Sequence, residues 1–213
     1  MTVYMREVLD KHYWNQRYRT GATGWDLGQV SPPIAAYIDQ CQNLKARILI
    51  PGGGNSYEAQ YLWEKGFTDI TVVDISDELI ENLKRKYRDT GIKFISEDFF
   101  QHLGEYDIII EQTFLSALDP SLRDRYAKKM YSLLWQNGRF IGVIFKRQFD
   151  EPGPPFGGSV KDYRRLFEPY FDFHTFAPCV NSHPARQGSE LFFSFRKKEK
   201  MLVAPRNGLY RKK

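Results

Sequence analysis

Only two cysteines occur in 213 residues, and Cys41 and Cys179 form no CxxC pair and have no histidine cluster nearby. That excludes a disulfide-stapled scaffold and a cysteine-based zinc site, so both read as free thiols with neither metal nor disulfide duty. No apolar run approaches the ~20 residues that a membrane span needs. Arg6, Glu7, Asp10 and Lys11 stand where a signal peptide has its apolar region. The expectation is a cytoplasmic protein with no membrane partner. No internal repeat is present either, which removes the solenoid and propeller classes.

What is present is ordinary in bulk and uneven in detail. Hydrophobic residues make up 42% and charged residues 27%, and the length suits one domain with a full core. The net charge of +5 is concentrated at one end. From Arg196 to Lys213 there are eight Lys or Arg against Glu199 alone, so the preceding residues are nearly neutral. Such a tail reads as a solvated terminus, and the body shows no basic patch interleaved with aromatics. No nucleic-acid partner is expected. The organisation expected is one domain over residues 1–200, with 1–45 as an N-terminal cover and 201–213 as a basic tail.

Residues 4–20 carry Tyr4, Val8, His12 or Tyr13, and Trp14 near helical spacing, before Thr20-Gly21 stops the pattern. The loop Trp25 to Pro33 follows, and Ser31 is placed to cap a helix running through Pro32 and Pro33 to about Cys41. From Ala46 strands alternate with helices: strands at 47–50, 70–73, 94–95, 106–110 and 138–145, helices at 57–65, 77–87 and 121–134. Short loops between them imply a mostly parallel sheet covered on both faces, an α/β doubly wound fold. A Pro- and Gly-rich loop at 150–158 precedes a helix at 160–167 capped by Ser159. Runs at 171–177 and 191–196 then read as an antiparallel hairpin at the sheet edge.

The chemistry centres on Ile48-Leu49-Ile50-Pro51-Gly52-Gly53-Gly54-Asn55-Ser56-Tyr57, an apolar strand breaking into three glycines before a helix. A turn without Cβ atoms lets backbone N–H groups approach a ligand at a helix N-terminus. Asp74 closes the second strand twenty residues after Gly54, where a carboxylate can take both hydroxyls of a ribose; capping the next helix is its bland alternative. A dinucleotide fingerprint needs a third glycine where this chain has Tyr57. After the third strand come Asp98, placed for an adenine amino group, and Phe99, placed to stack on the ring; a loop carboxylate and a core phenylalanine would look the same. Signals at the ends of three consecutive strands favour S-adenosylmethionine over NAD.

Five ordered segments carry a family resemblance: Trp25-Asp26-Leu27-Gly28, Ile50-Pro51-Gly52-Gly53-Gly54, Val73-Asp74-Ile75-Ser76, Thr113 to Pro120, and Gly153-Pro154-Pro155-Phe156-Gly157. Together they resemble the thiopurine S-methyltransferase superfamily, most closely its halide and thiol methyltransferases and their bacterial relatives. The resemblance implies a class I methyltransferase fold, S-adenosylmethionine as methyl donor, and a small soft nucleophile as acceptor. It also implies donor contacts at Trp14, Trp25, Gly52, Gly54, Tyr57, Asp74, Ile75, Asp98, Phe99 and Glu111. Two departures from the family stand out. Ser56 replaces a glycine and offers a hydroxyl to the methionine carboxylate, and Glu111-Gln112 stands where relatives carry Asp or Asp-Tyr.

A sulfonium is already activated, so in-line methyl transfer needs position and exclusion of water more than an acid or base. Trp14, Trp25, Phe114 and Phe156 are placed to surround the methyl group, with Phe114 equally readable as core. Tyr13, His12 and Arg186 are the candidates for assisting a thiolate, and Arg186 is also the candidate ligand of an anionic acceptor. A methyltransferase acting on a macromolecule through the basic tail, or a non-catalytic S-adenosylmethionine-binding module, remains the alternative. A monomer or weak homodimer is expected.

Overall fold

Ile48, Leu49 and Ile50 are apolar in succession because the strand they form is buried on both faces, as a central parallel strand must be. This is β1 (Arg47–Pro51) of a computed structural model that describes residues 8–150 and 153–199. Its neighbours are β2 (Asp69–Asp74) on one side and β4 (Tyr106–Gln112) on the other, with β3 (Lys93–Ser96) beyond β2. On the far side lie β5 (Leu134–Phe145), β7 (Glu190–Lys197) and β6 (Phe171–Pro178), giving the order β3-β2-β1-β4-β5-β7-β6. The first five strands run parallel, and β7 enters antiparallel between β5 and β6. The expected hairpin therefore exists, with only β6 at the edge.

Alternation along the strands builds two cores. Ile48, Ile50 and Val72 face α2 (Pro32–Ile38), α3 (Tyr57–Glu64) and α4 (Asp77–Lys86). Leu49, Val73, Ile109 and a dense set of phenylalanines face α5 (Arg123–Leu133) and α6 (Val160–Phe167). The strand order reverses between β1 and β4, and the crevice beyond the carboxyl ends of these strands is where such sheets bind ligands. Among the described residues no helix is long and apolar enough to cross a membrane.

Several boundaries differ from the sequence pattern for identifiable reasons. The first helix, α1 (Lys11–Thr20), starts late because the Asp10 carboxylate takes the Tyr13 N–H; Val8 lies outside it, 74% exposed, and Tyr4 lies outside the described residues. Ser31 does not cap α2 with its side chain, and the helix ends at Ile38 rather than Cys41. Its hydroxyl is buried without a hydrogen bond, while its N–H goes to Glu58 Oε1 at 3.2 Å. The strand expected from Gly138 begins at Leu134, with an irregularity where Leu134 pairs with Tyr106 and Arg139 with Ile108, and Asn137 takes a positive φ of 66°. That bulge escapes the alternation rule because its extra residues have no cross-strand partners.

Candidate active site

At the end of β1 the chain turns so tightly that glycine is required. Gly52 has φ 57° and a Cβ there would lie inside the Phe114 ring; Gly54 has φ 50°. The N–H groups of Gly52 and Gly53 point to the Val73 carbonyl at 2.7 and 3.4 Å, so the turn is fastened to β2. Ser56 also takes a left-handed conformation, φ 59°, but its hydroxyl faces the Gly53 and Gly54 carbonyls from a site 1% exposed. Ser56 also borders the cavity, so its hydroxyl is shared between the turn and the site.

Asp74 braces the same turn. Its Oδ2 accepts the Gly54 N–H at 3.3 Å and its Oδ1 the Ser76 N–H at 2.9 Å. Burial pushes its pKa up to about 6, against the pull of the N–H groups of Ser76, Gly54 and Ile75. It is not the cap of α4, since Ser76 Oγ accepts the Leu79 N–H and does that work. Asp98 accepts the Phe100 N–H at 2.9 Å, as a loop carboxylate would, while also bordering the cavity. The Phe99 ring is 4% exposed, sits edge-to-face against Phe114 at 5.3 Å and borders the cavity.

These groups open on a cavity of about 750 Å³, within the range of small-molecule sites. Trp14, Trp25, Tyr13, Tyr57, Ile75 and Arg186 line it as well. Trp14 and Tyr18 both meet Trp25 edge-on, at 5.5 and 5.9 Å. Helix α1 is held over the cavity by polar contacts at the N-terminus of α4: Asn15 Nδ2 donates to Asp77 Oδ1 at 2.7 Å, and Ser76 Oγ donates to Asn15 Oδ1 at 2.6 Å.

Asp26 fastens the loop after α1 to the glycine turn, accepting hydrogen bonds from Asn55 Nδ2, the Tyr57 hydroxyl and the Gly28 N–H. Asp26→Ala is expected to weaken ligand binding in the cavity about tenfold and to lower the melting temperature by ~2–8 °C, because the partly exposed bonds it loses total ~1–2 kcal/mol. Ligand titration beside a thermal melt measures both.

Three sequence-derived positions fall outside the cavity lining. His12 is exposed on the outer face of α1, one residue off the inward stripe. Glu111 is fully buried beneath the lining, where its carboxylate meets the Tyr126 hydroxyl and the Leu115 N–H. Phe156 folds back onto Gly153, leaving Pro154 and Pro155 as the loop's contribution. Tyr13 does line the cavity, and its hydroxyl accepts two bonds from Arg17, at 3.1 and 2.9 Å. Phe114 borders the cavity and packs on the core as well.

Arg186 is 7% exposed and already engaged. It donates to the Trp25 carbonyl, lies 3.4 Å from Glu190 Oε1, and stacks over Phe145 at 5.2 Å. Glu58 also faces this charge; burial raises its pKa, and Arg186 is among the groups that oppose the rise. Sequence reasoning missed Arg17, Tyr18, Asp26 and Glu58 as site residues. Tyr18 follows Trp14 by four residues and so carried a helical-spacing signal, whereas Glu58 gives none.

The strand order, the glycine turn after the first strand and the acid ending the second define a class I methyltransferase fold. A solved structure with this fold, the 1,6-didemethyltoxoflavin N1-methyltransferase of Burkholderia thailandensis with bound S-adenosylhomocysteine, matches with TM-score 0.68 and 18% identity, covering 92% of this chain and 93% of that one. The chain belongs to the thiopurine S-methyltransferase family, whose pattern it matches over residues 9–200. It is an S-adenosylmethionine-dependent methyltransferase. It is 30% identical over 162 residues to a probable thiol methyltransferase 2 of Arabidopsis thaliana, covering 73% of this chain and 71% of the relative. Thiocyanate methyltransferase 1 of Brassica oleracea is 26% identical over 174 residues, covering 78% and 76%.

Proposed function

We propose that the protein methylates a small soft nucleophile, a thiol, a halide or a related anion, by in-line displacement. The observation that carries this is the aromatic cover latched over the cavity, with Trp14 and Trp25 in its wall and Asp26 tying it to the glycine turn. A large substrate has no use for such an enclosure, and a sensor has no reacting methyl group to shield. The residues fit the donor: a buried carboxylate at Asp74 suits two ribose hydroxyls, and Gly54, where a Cβ would meet only the Tyr18 hydroxyl at 3.5 Å, leaves room for a close backbone approach. When bound, S-adenosylmethionine supplies a methyl group activated by a sulfonium. Asp74 would hold the ribose hydroxyls and Asp98 and Ile75 the adenine, while the rings of Trp14, Trp25 and Phe114 would exclude water and favour the positive sulfur. Tyr13, held by Arg17, is the polar group placed to assist a thiol.

The test offers the donor with iodide, bisulfide or an aromatic thiol and follows S-adenosylhomocysteine. Turnover with at least one is expected, and its absence despite tight donor binding would remove the acceptor assignment. The protein is further proposed to be one domain acting in the cytoplasm as a monomer or weak homodimer, without nucleic acid. Deleting residues 201–213 should change kcat/KM for the small acceptor less than twofold, whereas a macromolecular methyltransferase that anchors through its tail loses far more.

A further inference from the structure

Glu111 is the next-to-last residue of β4, with no exposed surface, and three donors converge on it. Its Oε1 accepts the Leu115 N–H at 3.0 Å, its Oε2 accepts the Tyr126 hydroxyl, and the Phe114 N–H is directed at it as well. Phe114 and Leu115 belong to the short 3-10 turn Phe114–Ala117, whose entry residue, Thr113, is left-handed at φ 62°. A single turn entered in that way has few backbone bonds of its own, so the carboxylate supplies what a longer helix would. The turn matters to the cavity: the Phe114 ring lies on Gly52, and Ser116 borders the cavity with a buried hydroxyl that makes no hydrogen bond. The Ser116 carbonyl also takes the Phe156 N–H at 2.7 Å, so the Pro-rich loop hangs from the same turn. Tyr126 closes the arrangement from α5, its ring 6.0 Å from Phe114 and 5.9 Å from Phe99.

We propose that Glu111 and Tyr126 are a positioning pair: the ionised carboxylate, steadied by the tyrosine hydroxyl, holds the turn that presents Phe114 and Ser116 to the methyl acceptor. Neither touches the reacting atoms. The proposal rests on the methyltransferase reading above and adds a pH dependence to it. When Glu111 is protonated the Tyr126 hydroxyl must turn from donor to acceptor to take the added hydrogen, and the neutral carboxyl left to the Leu115 N–H is a weaker acceptor than a carboxylate, so the turn loosens. The groups facing the carboxylate are Tyr126 from α5 and Tyr163 from α6, with Arg123 stacked over Tyr163 and Asp162 beside it. In these surroundings burial pushes Glu111 up to about 7, against the pull of Tyr126, Leu115 and Phe114.

Iodide does not titrate near neutrality, so methyl transfer to iodide at saturating S-adenosylmethionine isolates the enzyme's own ionisations. In the unmodified protein kcat/KM for iodide should fall as pH drops through ~7 and level off about tenfold lower. Glu111→Gln should lower the plateau about tenfold and abolish the acid limb. Tyr126→Phe removes one donor to the carboxylate and should move the limb up by about one pH unit, which a residue needed only for packing would not do. The amide of Leu115 gives a second readout that needs no acceptor: its hydrogen-exchange protection factor should drop as pH falls through ~7 and be low at every pH in Glu111→Gln. A limb unchanged in Glu111→Gln, or a Leu115 protection factor indifferent to both pH and substitution, would overturn the proposal. Absent turnover with every acceptor strikes the acceptor assignment instead, and the exchange measurement still decides on Glu111.

Discussion

Asp74→Asn should weaken S-adenosylhomocysteine binding by about 100- to 1000-fold while leaving the melting temperature at pH 8 no lower than that of the unmodified protein. Two hydroxyls donated to a buried carboxylate contribute ~1.5–3 kcal/mol each, and an amide keeps one neutral acceptor, so a loss of ~3–4 kcal/mol follows. Stability moves the other way. The folded pKa of about 6 lies above the unfolded value near 3.9, so the stabilisation from protonating Asp74 is complete below pH ~4 and gone once pH has risen through 6. At pH 8 the folded protein thus bears the whole cost of a buried charge, on the order of 3 kcal/mol, and asparagine removes it while forfeiting the longer contact, to Gly54. The same sign governs the unmodified protein: donor affinity should fall as pH drops below about 6, because a protonated Asp74 is a poorer acceptor. Isothermal titration from pH 5 to 8, beside thermal melts, checks both. Equal losses of binding and of melting temperature would make Asp74 a brace of the turn alone.

Asp74 was legible in the sequence because strand ends and glycine turns are local signals. The apolar runs at 48–50 and 70–73 fix two buried parallel strands, and three glycines followed by a helix pattern place the ligand crevice beside them. Glu111 was legible only as a charge at a strand end. Whether a carboxylate there points up into the cavity or sideways under a turn depends on Tyr126, fifteen residues on, and no local pattern encodes that pairing. Phe156 is a similar case. Its neighbours Pro154 and Pro155 reach the cavity while its ring folds onto Gly153, a choice made by the loop and not by the residue type. His12 and Tyr13 differ by one position on a helix, a rotation of about 100°, and the contacts of Asn15 with Ser76 and Asp77 fix which of the two faces inward. The cover's attachments, Asp26 to Asn55 and Asn15 to Asp77, span 29 and 62 residues, and only the folded chain brings them together.

Arg186→Ala should lower the melting temperature by about 10 °C and reduce turnover of every acceptor alike. An arginine waiting for an anionic acceptor would hold its guanidinium open to the cavity. This one is 7% exposed and binds the Trp25 carbonyl of the cover, Glu190 of β7 and the face of Phe145, so it joins three separate parts of the chain. Its removal strands Glu190, 1% exposed and with one oxygen already lacking a hydrogen bond, and takes from Glu58 a charge that opposes its neutralisation. Breaking a buried ion pair from one side costs ~3–5 kcal/mol, and in a protein of this size each kcal/mol is worth ~2–4 °C. Arg186→Lys keeps the charge but loses the fork that serves Trp25 and Glu190 together, and should fall between the two. Loss of the Trp25 anchor also unseats one wall of the cavity, so kcat falls along with stability even below the melting transition. A raised KM for iodide with an unchanged melting temperature would instead show the arginine meeting the acceptor directly, with Glu190 merely beside it.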